Sequence, residues 1–116
     1  MDKCPIFQIT GILGKKWTIV LMQEIVLNGE KGFNYILKRM RKISPKILSK
    51  RLKELEETGI VEREIGRQMP LRTRYRLTQK GMELKGIADS LRIWNERHYD
   101  KKIECARKEC INCGFY

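Results

Sequence analysis

A single histidine, His98, stands in 116 residues, and nothing around it resembles a catalytic set. No Ser-His-Asp grouping, glycine-rich phosphate loop or paired-carboxylate motif is present, so an enzymatic reading has nothing to rest on. His98 falls beside Trp94 on a helical stripe, where a core or interface role is expected. Long apolar runs are missing too. No window reaches the roughly 18 uninterrupted apolar residues of a spanning helix. Met1-Asp2-Lys3-Cys4-Pro5 is not followed by the apolar run of a signal peptide. Neither a membrane-surface helix nor a lipidation motif is found, and a cytoplasmic protein with no membrane partner is expected. Repeats and low-complexity linkers are absent, and 41% apolar content suffices for one core. One domain over residues 1–98, followed by a cysteine-containing tail over 99–116, is the expected organisation.

The most informative absence is local. Between Lys31 and Lys53 there is no acidic residue, while Lys31, Lys38, Arg39, Arg41, Lys42, Lys46, Lys50, Arg51 and Lys53 are cationic. Over the whole chain 25 Lys and Arg oppose 14 Asp and Glu, a formal charge of +11, which implies a polyanionic partner. Within the run, Ser44-Pro45 is a helix-start signal, with serine capping the first turn and proline at the first helical position. Leu48, Leu52 and Leu55 follow at helical spacing and put Lys46, Ser49, Lys50 and Lys53 on the opposite side. Cationic and hydroxyl groups on a docked helix suit DNA phosphates and base edges.

Around this helix the periodicities predict a short first helix ending near Gly14, with Ile6, Ile9, Ile12 and Leu13 as its stripe. A second, apolar almost all round, is predicted over Trp17 to Leu27, central to the core and closed by Asn28-Gly29. Asn34 is predicted to cap a third helix that buries Ile36, Leu37 and Met40. Gly59 should stop the basic helix. Two strands, Val61 to Arg67 and Arg72 to Leu77, then flank a hairpin turn at Gln68-Met69-Pro70-Leu71. A long last helix follows Thr78, with Leu84, Ile87, Leu91, Trp94 and His98 recurring every three or four residues. The predicted class is mainly α with a small β-hairpin (α+β): a winged helix-turn-helix with flanking terminal helices for homodimerisation. Two half-sites about 34 Å apart would match such a dimer. Arg67, Arg72 and Arg74 on the wing would reach the minor groove or phosphates, and Asn34 and Ser44 would present helix starts to the backbone. An RNA-binding or protein-interaction winged helix within a larger complex is the alternative. Basic groups on both helix and wing favour double-stranded DNA over either. Trp17, Tyr75 and Trp94 are candidates to line a small-molecule pocket between the long helix and the core, although aromatics at such spacing are more often ordinary packing, and no effector is identified.

In order and spacing the chain resembles the HxlR-type (DUF24) transcriptional regulators. The resemblance rests on Cys4-Pro5, Gly14-Lys15-Lys16-Trp17, Phe33-Asn34, Ile43-Ser44-Pro45-Lys46-Ile47-Leu48-Ser49, Leu52 and Leu55. It continues through Gly59-Ile60-Val61, Arg63, Tyr75, Leu77-Thr78 and Gly81, and spans about residues 4 to 98. It implies homodimeric winged helix regulators related to the MarR group, with terminal helices at the dimer interface. It also implies oxidant or electrophile sensing through an N-terminal cysteine, the position of Cys4. The chain departs from the pattern at Gly32, where a basic residue is common, and at Arg74, where an acidic one is common. The wing is therefore expected to hold DNA more by charge.

Cysteines form the remaining motif. Cys105, Cys110 and Cys113 make a C-x4-C-x2-C cluster, and Cys4 is a fourth thiol at the other end. Four thiolates would suit structural zinc, and the spacing equally suits three ligands of an iron–sulfur cluster with a distant fourth. Thiol switching is the third reading: Lys3 and the start of helix one would favour the Cys4 thiolate, and a tail cysteine would resolve its sulfenic acid. Idle thiols are the fourth.

Overall fold

Ser44 and Pro45 begin a helix as their chemistry predicts. In the computed structural model, which describes residues 4–67 and 72–99, Ser44 is extended (φ −80°, ψ 154°) and its Oγ accepts the Ile47 N–H at 3.1 Å. Pro45 takes the first helical position, where its missing N–H costs nothing. The order is α1 (Pro5–Leu13), α2 (Thr18–Asn28), a 3-10 turn (Gly29–Lys31), α3 (Phe33–Arg39), α4 (Pro45–Glu57), β1 (Val61–Ile65), β2 (Thr73–Leu77) and α5 (Gln79–His98). Helix α4 stops in a Schellman arrangement: the Gly59 N–H bonds Glu56 O and the Ile60 N–H bonds Leu55 O. Gly59 itself is left-handed at φ +77°. Ile60, just beyond, is buried.

The core lies between α2, α3, α4 and the base of the hairpin. Leu21, Met22, Ile25, Ile36, Met40, Ile43, Leu48, Leu52, Leu55, Ile60, Val61 and Tyr75 form one buried cluster. Strands β1 and β2 pair antiparallel, from Val61 opposite Leu77 to Ile65 opposite Thr73. Alternation places Val61, Arg63 and Ile65 on one face and Glu62 and Glu64 on the other. Only Val61 and Tyr75 of the two strands are buried, so the hairpin projects as a wing. Mainly helical with a two-stranded wing, the architecture is the winged helix that the pattern predicts.

Three expectations change. Trp17 is not in α2 but precedes it in a left-handed conformation (φ 80°), its carbonyl accepting the Leu21 N–H at 2.7 Å. Asn34 does not cap α3. Gly32 holds that position at φ +88°, its carbonyl accepts the Ile36 N–H, and Asn34 is the second helical residue. The cause is tertiary: a Cβ on residue 32 would stand 2.8 Å from the Thr73 carbonyl oxygen, so the chain closes against β2 only because residue 32 is glycine. Finally, α2 is amphipathic rather than enclosed, with Leu21, Met22 and Ile25 buried but Val26 and Leu27 exposed.

The terminal helices are the least covered. Helix α1 buries none of its residues, and Ile6 is 71% exposed. Thr78 caps α5, its Oγ1 accepting the Gly81 N–H at 3.1 Å. Of the predicted α5 stripe, Leu84 alone packs on the core, while Ile87, Leu91 and Trp94 face outward and His98 is exposed. Trp94 stacks on His98 and Tyr99, with ring centroids 4.9 and 5.6 Å away. The α5 stripe therefore does not close this chain's own core.

Candidate nucleic-acid interface

Burial of Leu48, Leu52 and Leu55 leaves Lys46, Ser49, Lys50 and Lys53 on the exposed side of α4. The acidic residues of α4 all lie in its last turn, where Glu54 is drawn toward Lys15 while Glu56 and Glu57 line a concavity with Ser49 and Lys53. Glu54 pairs with Lys15 at 3.1 Å and Arg51 at 3.4 Å, and Glu56 pairs with Arg63 of β1 at 3.4 Å. The first two turns of α4 therefore present a cationic surface without a carboxylate.

Not every cation in the acid-free run faces solvent. Arg51 turns back, its Nε donating to Lys16 O at 3.3 Å. Arg39 donates its Nε to Oε1 of buried Glu24 at 3.0 Å, and Asn28 Nδ2 donates to the same oxygen at 2.7 Å. Lys31, Lys38, Arg41, Lys42, Lys46, Lys50 and Lys53 remain exposed. Ser44 Oγ is engaged by Ile47 as an acceptor, which leaves its O–H hydrogen to donate outward.

The wing separates its arginines into two groups. Arg76 pairs with Glu62 at 2.8 Å, and Arg74 stands directly across from Glu64 on the same face. Arg74 is exposed, but a carboxylate beside it offsets its charge. Arg67 and Arg72 are exposed at the two ends of the hairpin tip, where the Gly66 N–H bonds Arg72 O at 2.8 Å. The predicted turn Gln68-Met69-Pro70-Leu71 lies outside the described residues. Behind the wing, burial pushes the Tyr75 phenol above its ordinary value of 10.0; nearby Glu56 adds to the rise and Arg63 opposes it.

The predicted effector trio is not assembled. Tyr75 lines two concavities of about 460 Å³ each, Trp17 packs on the core elsewhere, and Trp94 stands on the outer surface of α5. Cys4 is exposed immediately before α1, its carbonyl accepting the Gln8 N–H at 2.9 Å. Cys105, Cys110 and Cys113 lie outside the described residues. Among the described residues no group of three His, Cys, Asp or Glu converges as a metal site would require, and no helix is long and apolar enough to cross a membrane.

A helix-turn-helix whose second helix exposes lysines, followed by an arginine-flanked hairpin, defines a winged helix DNA-binding protein. Comparison narrows the class. A family model for HxlR-like helix-turn-helix proteins matches residues 12–103, and the chain belongs to that family. It is 35% identical to the uncharacterized HTH-type transcriptional regulator YdeP of Bacillus subtilis (strain 168), over 92% of this chain and 84% of YdeP. Among solved structures, the reduced form of the transcriptional regulator YodB from B. subtilis superposes with TM-score 0.71 at 33% identity, covering 84% of this chain and 96% of YodB. The redox regulator HypR in its oxidized form gives 0.75 at 33% identity, covering 84% of this chain and 99% of HypR. The protein is a DNA-binding transcriptional regulator, not an enzyme.

Proposed function

We propose that the chain acts in the cytoplasm as a homodimeric repressor whose hold on its operator responds to oxidation of Cys4. The observation that carries the DNA-binding part of this reading is the carboxylate-free exposed face at the start of α4. Lys46, Ser49, Lys50 and Lys53 enter the major groove, where lysine meets guanine O6 and N7 or phosphate. Ser44 and Asn34 meet the backbone alongside, and Arg67 and Arg72 grip the flanking DNA. Arg74 contributes less, because Glu64 opposes it. The outward apolar residues Ile6 and Phe7 of α1 and Ile87, Leu91 and Trp94 of α5 support pairing through the terminal helices. Repression follows from occupancy, since a dimer covering promoter DNA excludes polymerase.

Cys4 is exposed and directly precedes α1, whose outward Ile6 and Phe7 belong to the proposed pairing surface. Peroxide would convert its thiolate to a sulfenic acid, and a second thiol would condense with it, releasing water and forming a disulfide. Similarity to the redox regulator HypR supports the same reading.

Fluorescence anisotropy on duplex DNA from the chain's own upstream region, with a scrambled duplex alongside, tests the proposal in reduced and oxidised samples. Specific binding that weakens on oxidation is expected. Lys50→Ala should lower affinity for the specific duplex by on the order of tenfold, with a smaller loss on the scrambled one. Equal binding to both duplexes by the parent protein would overturn the specific-operator reading, and indifference to oxidation would overturn the redox one.

A further inference from the structure

We propose that Lys31, Tyr35 and Arg72 form a seat for one DNA backbone phosphate, separate from the major-groove face of α4. The seat is a concavity of about 610 Å³ between the start of α3 and the tip-side end of β2 in the wing. Lys31, Asn34, Tyr35 and Arg72 line it, and among the described residues no carboxylate does. Glu30, the nearest acid in sequence, lines an adjoining concavity that Lys31 also borders. Every polar side chain named at the seat can donate: an ammonium, a guanidinium, an amide N–H pair and a phenol O–H. A phosphodiester offers the complement, one negative charge spread over two acceptor oxygens.

Two features show the seat to be built rather than a chance scatter of surface charge. Lys31 is already positioned, its Nζ 4.5 Å from the Tyr35 ring centroid and 3.4 Å from the Tyr35 hydroxyl. A lysine held against an aromatic face loses less side-chain freedom when it takes up an anion. The second feature is Gly32. Its positive φ of +88° and its approach to the Thr73 carbonyl draw Lys31 against the strand that Arg72 precedes. Cations from distant parts of the sequence thereby face one space.

The inference rests on the DNA-binding reading and extends its footprint beyond α4. Because phosphates carry no sequence, the seat should add affinity to any duplex and should add to the salt dependence. Anisotropy titrations over a salt series, with the upstream and scrambled duplexes, test it using Lys31→Ala and Tyr35→Phe in the full chain. Lys85→Ala serves as the control, removing one charge from α5, where Lys85 pairs with Asp89. Lys31→Ala should weaken both duplexes by the same factor and reduce the slope of log affinity against log salt by about 0.9 per seat. Tyr35→Phe should weaken both equally and leave the slope unchanged, since no charge is lost. The proposal is overturned if Lys31→Ala leaves the slope intact, if it weakens only the upstream duplex, or if Lys85→Ala lowers the slope equally. Failure of the parent protein to bind either duplex would sink the DNA-binding reading itself.

Discussion

Arg39 of α3 donates its Nε to Oε1 of Glu24 in α2 at 3.0 Å, and Glu24 is fully enclosed. The pair, joined by Asn28 Nδ2, fixes the first helix of the helix-turn-helix against the core beneath it. Removing one partner leaves a buried carboxylate short of a cation, which typically costs about 3–5 kcal/mol. Arg39→Ala should fall near about 3 kcal/mol, the low end, because Asn28 still donates to Glu24. Urea denaturation followed by circular dichroism checks this, and a loss within experimental error would show that the pair does not hold α3.

The outward face of α5 makes an equally direct prediction. Leu91 is 52% exposed in line with Ile87 and Trp94. Leu91→Glu should turn a dimer into a monomer in sedimentation equilibrium while the helical circular dichroism signal is retained. A monomeric parent protein at micromolar concentration would remove the basis for this expectation.

For Cys4 the relevant outcomes are chemical. Cys4→Ser should bind DNA as the reduced parent does and should not respond to peroxide or diamide. Metal analysis of the same variant separates the other sequence readings: loss of zinc or of an iron–sulfur absorption band would tie Cys4 to Cys105, Cys110 and Cys113 as a ligand set. Retained metal would exclude Cys4 from such a set.

Tyr75 predicts an alkaline dependence. Burial raises its phenol above 10.0, so the folded state holds this proton more tightly than the unfolded chain does. The stability it contributes is complete below pH 10 and is lost as pH rises toward the folded value. Tyr75→Phe should therefore be less sensitive than the parent protein to pH above 10, measured as the difference in urea midpoint between pH 9 and pH 11. Parallel pH profiles would contradict the assignment.

Most of the architecture could be read from local chemistry. The Ser44-Pro45 start, the Gly59 stop, the Thr78 turn and the leucine spacing of α4 each act within a few residues, so sequence reasoning placed them correctly. It missed Gly32 as the cap of α3, because the requirement for glycine comes from the Thr73 carbonyl across the fold. It also missed Lys31 with Tyr35, because the two belong to different elements and meet only where the chain turns at Gly32.

What the sequence by itself determined is the supply of charge and the local geometry: a run of nine cations without an acid, laid on a capped amphipathic helix. Which of those cations can meet DNA was decided only by tertiary structure. Arg39 and Arg51 carry the same charge as Lys50, yet Glu24 and the Lys16 carbonyl, 15 and 35 residues away in sequence, draw them inward. Arg74 lies opposite Glu64 because of strand register. Charge is a property of the residue, but its availability depends on what the folded chain brings within hydrogen-bonding reach.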